Sequence, residues 1–259
     1  MIKAILFDMD GTLLPMDIDL FIKTYMGGLG KTVASFGMDP QPVLEALWKG
    51  TGAMVKNDGS ATNEQVFWKT FAALVGEEIL EHQKEFDEFY DKGFEVTRAS
   101  VTTNPQVRPI IDNLKAKGLR LIIATNPLFP AAAQYNRVKW AGLDRNDFEL
   151  ITTYENSHFC KPNPAYYQEI LDKQGLTADE VIMIGNDARE DTAAAQIGIP
   201  VFLVTDCLLN QHGLDISAFP QGNWDDCVNY INEMISSKAE NSNFVAMDNC
   251  AKAQLSVNE

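Results

Sequence analysis

Five short runs of β-forming apolar residues constrain this chain more than any other feature: AILF at 4–7, LRLIIA at 119–124, ELIT at 149–152, VIMIG at 181–185 and PVFLV at 200–204. Each is a continuous apolar run rather than an alternating one, and each ends abruptly in polar or glycine residues. That pattern suits strands covered on both faces, as in a parallel sheet. Between the runs lie helical patterns, PQVRPIIDNLKAKG (105–118), PAYYQEILDKQG (164–175) and EDTAAAQIG (190–198), each closed by a glycine suited to a C-cap. Strand and helix alternating in this way predict a doubly wound α/β layer.

Residues 15–104 interrupt that rhythm. They hold few strand-like runs and several amphipathic stretches, among them PVLEALWKG, NEQVFWKTFAALVG and EEILEHQKEFDEFYDKGFEV. The expectation is a helical insert, with Trp48, Trp68, Phe71, Phe86 and Phe89 forming its core. The α/β core is then expected over 1–14 and 105–238, the insert over 15–104, and a loosely held polar tail over 239–259.

A length of 259 residues accommodates such a core plus an insert. The formal net charge of −15 argues against nucleic acid or an anionic membrane as partner, because either polyanion would be repelled. Cys160, Cys207, Cys227 and Cys250 are scattered and form no CxxC pair, so reduced thiols are expected rather than zinc or a disulfide framework. The opening MIKAILFDMDG carries too short an apolar stretch for a signal segment or a span, which predicts a cytoplasmic protein.

Sheets of this kind place ligands beyond the carboxyl ends of their strands. The residues following each run make a set: Asp8 and Asp10 after the first, Thr125 and Asn126 after the second, Asn186, Asp187 and Asp191 after the fourth, and Lys161 between the third run and the next helix. Remote segments thus bring carboxylates, a hydroxyl, an amide and a lysine to one edge.

The combination resembles the haloacid dehalogenase superfamily of phosphohydrolases. Four motifs match in order: DMDGT at 8–12, Thr125 in IIATN, Lys161 in KPNPAYY, and the acidic GNDARED at 185–191. The insert directly after the first motif is similar to the cap that one subgroup carries between its first two motifs. The resemblance implies a Mg²⁺-dependent phosphatase in which Asp8 is nucleophile and metal ligand. Asp10 would give a carbonyl to the metal and act as general acid and base. Gly11 would permit a turn aiming backbone N–H groups at phosphate, which Met9, Thr12 and Asn126 would also contact. Thr125 would hold phosphoryl oxygens, Lys161 would offset charge, and Asp187, with Asp191 or Asn186, would complete the metal site. Glycine is here followed by Asn186 rather than directly by aspartate, and Asp187 is favoured because an amide is the weaker cation ligand.

Electrostatics gives the same cation an independent reason. At ~4 Å and an effective dielectric of ~20, a carboxylate and a phosphate dianion repel by roughly 8 kcal/mol, which is about six powers of ten in rate. A dication between them, helped by an ammonium group, reverses that sign.

Other readings of the same residues are a phosphomutase, which returns the phosphoryl group to a sugar, and a phosphate-binding regulatory protein with little turnover. The partner expected is a small phosphorylated metabolite. Taken singly, Asp191 before TAAAQ suits a helix N-cap. Arg189 and Glu190 read as surface residues, and His82, His158 and His212 read as structural or surface residues.

Overall fold

The computed structural model describes residues 1–237; the tail expected over 239–259, and Cys250 with it, lie outside the described residues. Strands β1 (Ala4–Phe7), β2 (Arg120–Ile123), β3 (Leu150–Ile151), β4 (Val181–Gly185), β5 (Val201–Val204) and β6 (Gln221–Gly222) form one sheet in the order β3-β2-β1-β4-β5-β6. Every pairing is parallel, so all six carboxyl ends point to one edge. The fold is α/β, with β1 at the centre and its Phe7 level with Ile123 on one side and Ile184 on the other.

Period-two alternation sorts the strand residues onto two apolar faces. Leu6, Ile122, Met183 and Leu203 pack with Tyr166, Tyr167 and Ile170 of a helix at Pro164–Gln174. Ile5, Phe7, Ile182 and Phe202 pack on the opposite side with helices at Val107–Ala116 and 224–237. Burial on both sides is why the strands read as unbroken apolar runs.

In chain order the helices are α1 (Ile18–Ser35), α2 (Pro40–Val55), α3 (Asn63–Val75), α4 (Gln83–Asp91), α5 (Val107–Ala116), α6 (Ala131–Trp140), α7 (Pro164–Gln174) and α8 (224–237). Their starts follow sequence logic. Asp17 and Asp39 accept hydrogen bonds from Leu20 and Gln41 amides, and Thr62 and Gln65 form a reciprocal capping box. Asn163 caps α7, with Pro164 at its first position.

The stretch EDTAAAQIG forms a 3₁₀ turn over Thr192–Ile197 rather than an α-helix, and Asp191 makes no cap hydrogen bond there. Two elements carry no strong sequence signal: the two-residue edge strand β6, and α6, whose buried stripe includes Gln134 and Arg137.

The four helices α1–α4, with 3₁₀ turns at Glu77–His82 and Gly93–Ser100, make up most of residues 18–100. The chain enters and leaves them at adjoining points. Met16 bridges Val101, the Asp17 amide donates to Ser100 and the Thr102 amide to Pro15. A third connection lies at the start of α3, where the buried Asn63 side chain donates toward the carbonyls of Pro127 and Phe159 and the sulfur of Cys160. The Asn63 and Glu64 amides donate to Ser157 and Tyr154 carbonyls.

Aromatic rings fill the helical segment. Phe21, Tyr25, Phe89 and Phe94 lie with neighbouring centroids 5.7–6.4 Å apart. Phe71, Phe86 and Phe89 are buried as expected, but Trp48 is 47% exposed. No helix of the described residues is long and apolar enough to cross a membrane.

Candidate active site

Asp8 begins where β1 ends, its amide still donating to Ile184 as the ladder would continue. The turn after it reverses the chain within a few residues. Gly11, at φ 86°, donates to the Leu14 carbonyl, and a Cβ there would lie 2.2 Å from the Asn186 Nδ2. Only glycine meets both conditions. The Gly11 amide therefore serves the turn rather than standing free for an anion, and the Thr12 amide donates to the Met9 carbonyl. The turn makes no use of the Met9 and Asp10 amides. The Met9 side chain is wholly buried in the core.

At the centre of the edge Lys161 Nζ donates to Asp8 Oδ1 and to Asp191 Oδ1, each at 2.7 Å, and all three side chains are almost fully enclosed. Burial disfavours the Lys161 charge, but Asp191 and Asp8 outweigh it and hold the ammonium protonated well above the usual lysine range. Burial also acts on Asp8; although Lys161 opposes it, the carboxyl is pushed up to about 8.

The second oxygen of Asp191 accepts the Asn186 and Asp187 amides at 2.8 and 2.9 Å. Asp191 thus braces both the loop and the lysine, and it does not cap the following turn. Asn186 is committed too: its Oδ1 accepts from Thr12 at 2.9 Å and its Nδ2 donates to Cys207 at 2.7 Å. Asp187 differs. Its Oδ1 accepts the Arg189 and Glu190 amides, while its other oxygen has no hydrogen bond.

Thr125 follows β2, and its carbonyl accepts from the Tyr166 and Thr152 hydroxyls at 2.8 and 2.7 Å. Beside it the Asn126 side chain donates to Glu190 Oε1 at 3.0 Å. Glu190 is thus part of the site floor rather than a surface residue, and burial pushes its carboxyl up to about 7. Arg189 is exposed. Of the histidines, His158 pairs with Glu169 at 2.7 Å, away from this edge.

Arg137 of α6 is a member of the site that motif reading does not find. It is 1% exposed, lies 3.2 Å from Asp10 Oδ2 through Nη1, and sits over the Phe129 ring at 4.2 Å with Phe21 and Phe94 at 5.2 and 5.4 Å. A local signal exists: Ala133, Arg137 and Trp140 fall on one buried stripe, so an arginine stands where the period calls for an apolar residue. Asp10 Oδ1 is buried with no partner, and burial raises its carboxyl above the usual range against the pull of Arg137 and Lys161.

Asp8, Asp10, Thr125, Asn126, Arg137 and Asp187 line one end of a cavity of about 380 Å³ that extends toward α1 and α2. Among the described residues no cluster of three or more His, Cys, Asp or Glu forms a metal cage. A hard cation retaining waters needs fewer. The open Asp187 oxygen, beside the Asp8 carboxylate and the Asp10 carbonyl at one end of this cavity, is the donor chemistry that Mg²⁺ takes with one or two carboxylates.

The family model of the haloacid dehalogenase-like hydrolases matches residues 2–198. The chain belongs to the haloacid dehalogenase-like hydrolases. Among relatives of this hydrolase, a phosphoglycolate phosphatase of Photorhabdus laumondii is 30% identical over 200 residues, 75% of this chain and 76% of that protein. A glyceraldehyde 3-phosphate phosphatase of Methanothermobacter thermautotrophicus is 24% identical, covering 84% of this chain and 95% of that protein. The same fold occurs in the crystal structure of 2-haloacid dehalogenase from Pseudomonas syringae pv. Tomato DC3000, at a TM-score of 0.57 and 22% identity over 92% of this chain and 99% of that one.

Proposed function

We propose that this haloacid dehalogenase-like hydrolase is a Mg²⁺-dependent phosphatase of small phosphomonoesters, working through a phosphoryl group carried on Asp8. The observation that carries the reading is the Asp8–Lys161–Asp191 array at the strand ends, with Asp10 held apart on Arg137. Two aspartates one residue apart in sequence are given different partners, which is how one becomes a nucleophile and the other a proton carrier.

Asp8 attacks phosphorus as the carboxylate, its second oxygen already aligned by Lys161. Asp10 protonates the departing alcohol and then takes the proton of the water that hydrolyses the acyl phosphate. The Met9 and Asp10 amides and the Thr125 hydroxyl are the donors for phosphoryl oxygens. Asp8, the Asp10 carbonyl and Asp187 would hold Mg²⁺, which when bound supplies the positive charge that lets a phosphate dianion approach a carboxylate. Residues 15–104 serve as a cap over the strand ends, excluding bulk water from the transfer.

The test is release of inorganic phosphate from acetyl phosphate and a panel of phosphomonoesters with Mg²⁺. Asp8→Asn is expected to lower turnover by about 10³-fold or more, and Asp10→Asn by about 10²- to 10⁴-fold. Absence of turnover across the panel by folded protein overturns the reading.

A further inference from the structure

The cavity has two chemically unlike ends, and its far end bears on what the phosphoryl group is attached to. Beyond the aspartates its walls are Phe21, Ile22 and Tyr25 of α1, Leu47 and Trp48 of α2, and Phe129 after β2. Neither α1 nor α2 contributes a charged side chain to the lining. Tyr25 spends its hydroxyl on Tyr90 at 2.7 Å and so presents its ring. Ile18, Ile22 and Trp48, three of the large apolar residues exposed at 37–47%, all border this cavity, which concentrates exposed apolar surface at its mouth.

Charge at the polar end points the same way. Arg137 is the one cation in the lining; its Nη1 faces Asp10 and Gln134, while its Nε and Nη2 are buried with no hydrogen-bond partner. Glu190 and Asp187 border the cavity as acids. Seated against the uncharged walls of α1 and α2, a carboxylate on the leaving group would have to share Arg137 with Asp10, a costly placement. A volume of about 380 Å³ falls within the range of small-molecule sites and exceeds what a two-carbon leaving group fills.

We infer that the substrate is a phosphomonoester of an uncharged alcohol with an apolar body, seated against α1 and α2, and that phosphoglycolate is a poor substrate. This rests on the phosphatase reading above and narrows it, and it separates the chain from those relatives named as phosphoglycolate phosphatases.

The experiment compares ethyl, butyl, hexyl and phenyl phosphate with phosphoglycolate, using acetyl phosphate to report the phosphate end alone. Each methylene buried on the wall adds up to about fourfold, so kcat/KM is expected to rise along the alkyl series. Butyl phosphate should exceed phosphoglycolate by about tenfold or more. A flat series, or phosphoglycolate equal to or better than butyl phosphate, overturns the inference. In Trp48→Arg, which adds a cation at an exposed position, the butyl phosphate to phosphoglycolate ratio should fall about fivefold or more; an unchanged ratio overturns the role of this wall.

Failure of acetyl phosphate to turn over would count against the phosphatase reading instead. The wall is then decided by calorimetric titration of Asp8→Asn. Tighter binding of butyl phosphate than of phosphoglycolate supports the inference, and the reverse order overturns it.

Discussion

At the strand ends, Lys161 lies 2.7 Å from both Asp8 and Asp191 and almost no solvent reaches any of the three. In the helical segment, Phe67 and Phe71 stack at 5.2 Å and Phe86 meets Phe71 edge-on at 6.0 Å. The first region is ordered by directional bonds between charges that cannot tolerate a missing partner; the second is ordered by ring shape and apolar burial. Under the proposed function, reactivity falls to the first region and selection to the second. Substitutions in the two should therefore fail in different ways.

The sharpest break is Lys161→Met. Removing the shared cation leaves two buried carboxylates facing each other, and urea unfolding is expected to show a loss of about 3–5 kcal/mol together with loss of turnover. Near-wild-type stability would erase the contrast. On the other side, Phe71→Ala should cost about 3 kcal/mol through the cavity it leaves. Toward acetyl phosphate, its kcat should stay near that of the wild type.

A smaller effect comes from pH. The Glu190 carboxyl, raised by burial to about 7 from the ordinary 4.5, binds its proton more tightly in the folded chain than in the unfolded one. Its contribution to stability is present in full below about pH 4.5 and is lost as pH rises through about 7, by at most about 3 kcal/mol. In metal-free buffer, unfolding measured from pH 5 to 8 should decline less steeply for Glu190→Gln than for the wild type. Least of all, Tyr25→Phe removes one side of the Tyr25–Tyr90 hydroxyl pair and should lower stability by about 1 kcal/mol, a Tm shift of about 2–4 °C.

Much of the sheet was legible because burial on both faces leaves continuous apolar runs. AILF and VIMIG coincide with β1 and β4, and the other three runs overshoot their strands by a residue or two at the ends. The edge strand β6 was not, since Gln221–Gly222 contributes backbone bonds and almost no apolar surface. In the site, Asp8, Asp10, Thr125, Lys161 and Asp187 announce themselves by following strands. Arg137 does not, because its partner Asp10 is remote in sequence and its own helix reads as weakly patterned. Glu190 reads as surface until the Asn126 side chain is found across from it. Trp48 fits an amphipathic pattern, yet α2 turns it outward to the cavity mouth. Which face of a helix meets the core, and which meets a ligand, is decided by tertiary packing and not by period alone.

The attachment of α3 limits how anything reaches the strand ends. Two adjoining crossings at Met16 and Val101 would by themselves let the helical segment pivot as a hinged door, but the Asn63 bonds to Pro127, Phe159 and Cys160 pin it at a third place off that axis. Any swing of the segment about the first two has to break those bonds. With them in place, the side of the cavity left between the helices is the one bordered by Ile18, Ile22 and Trp48.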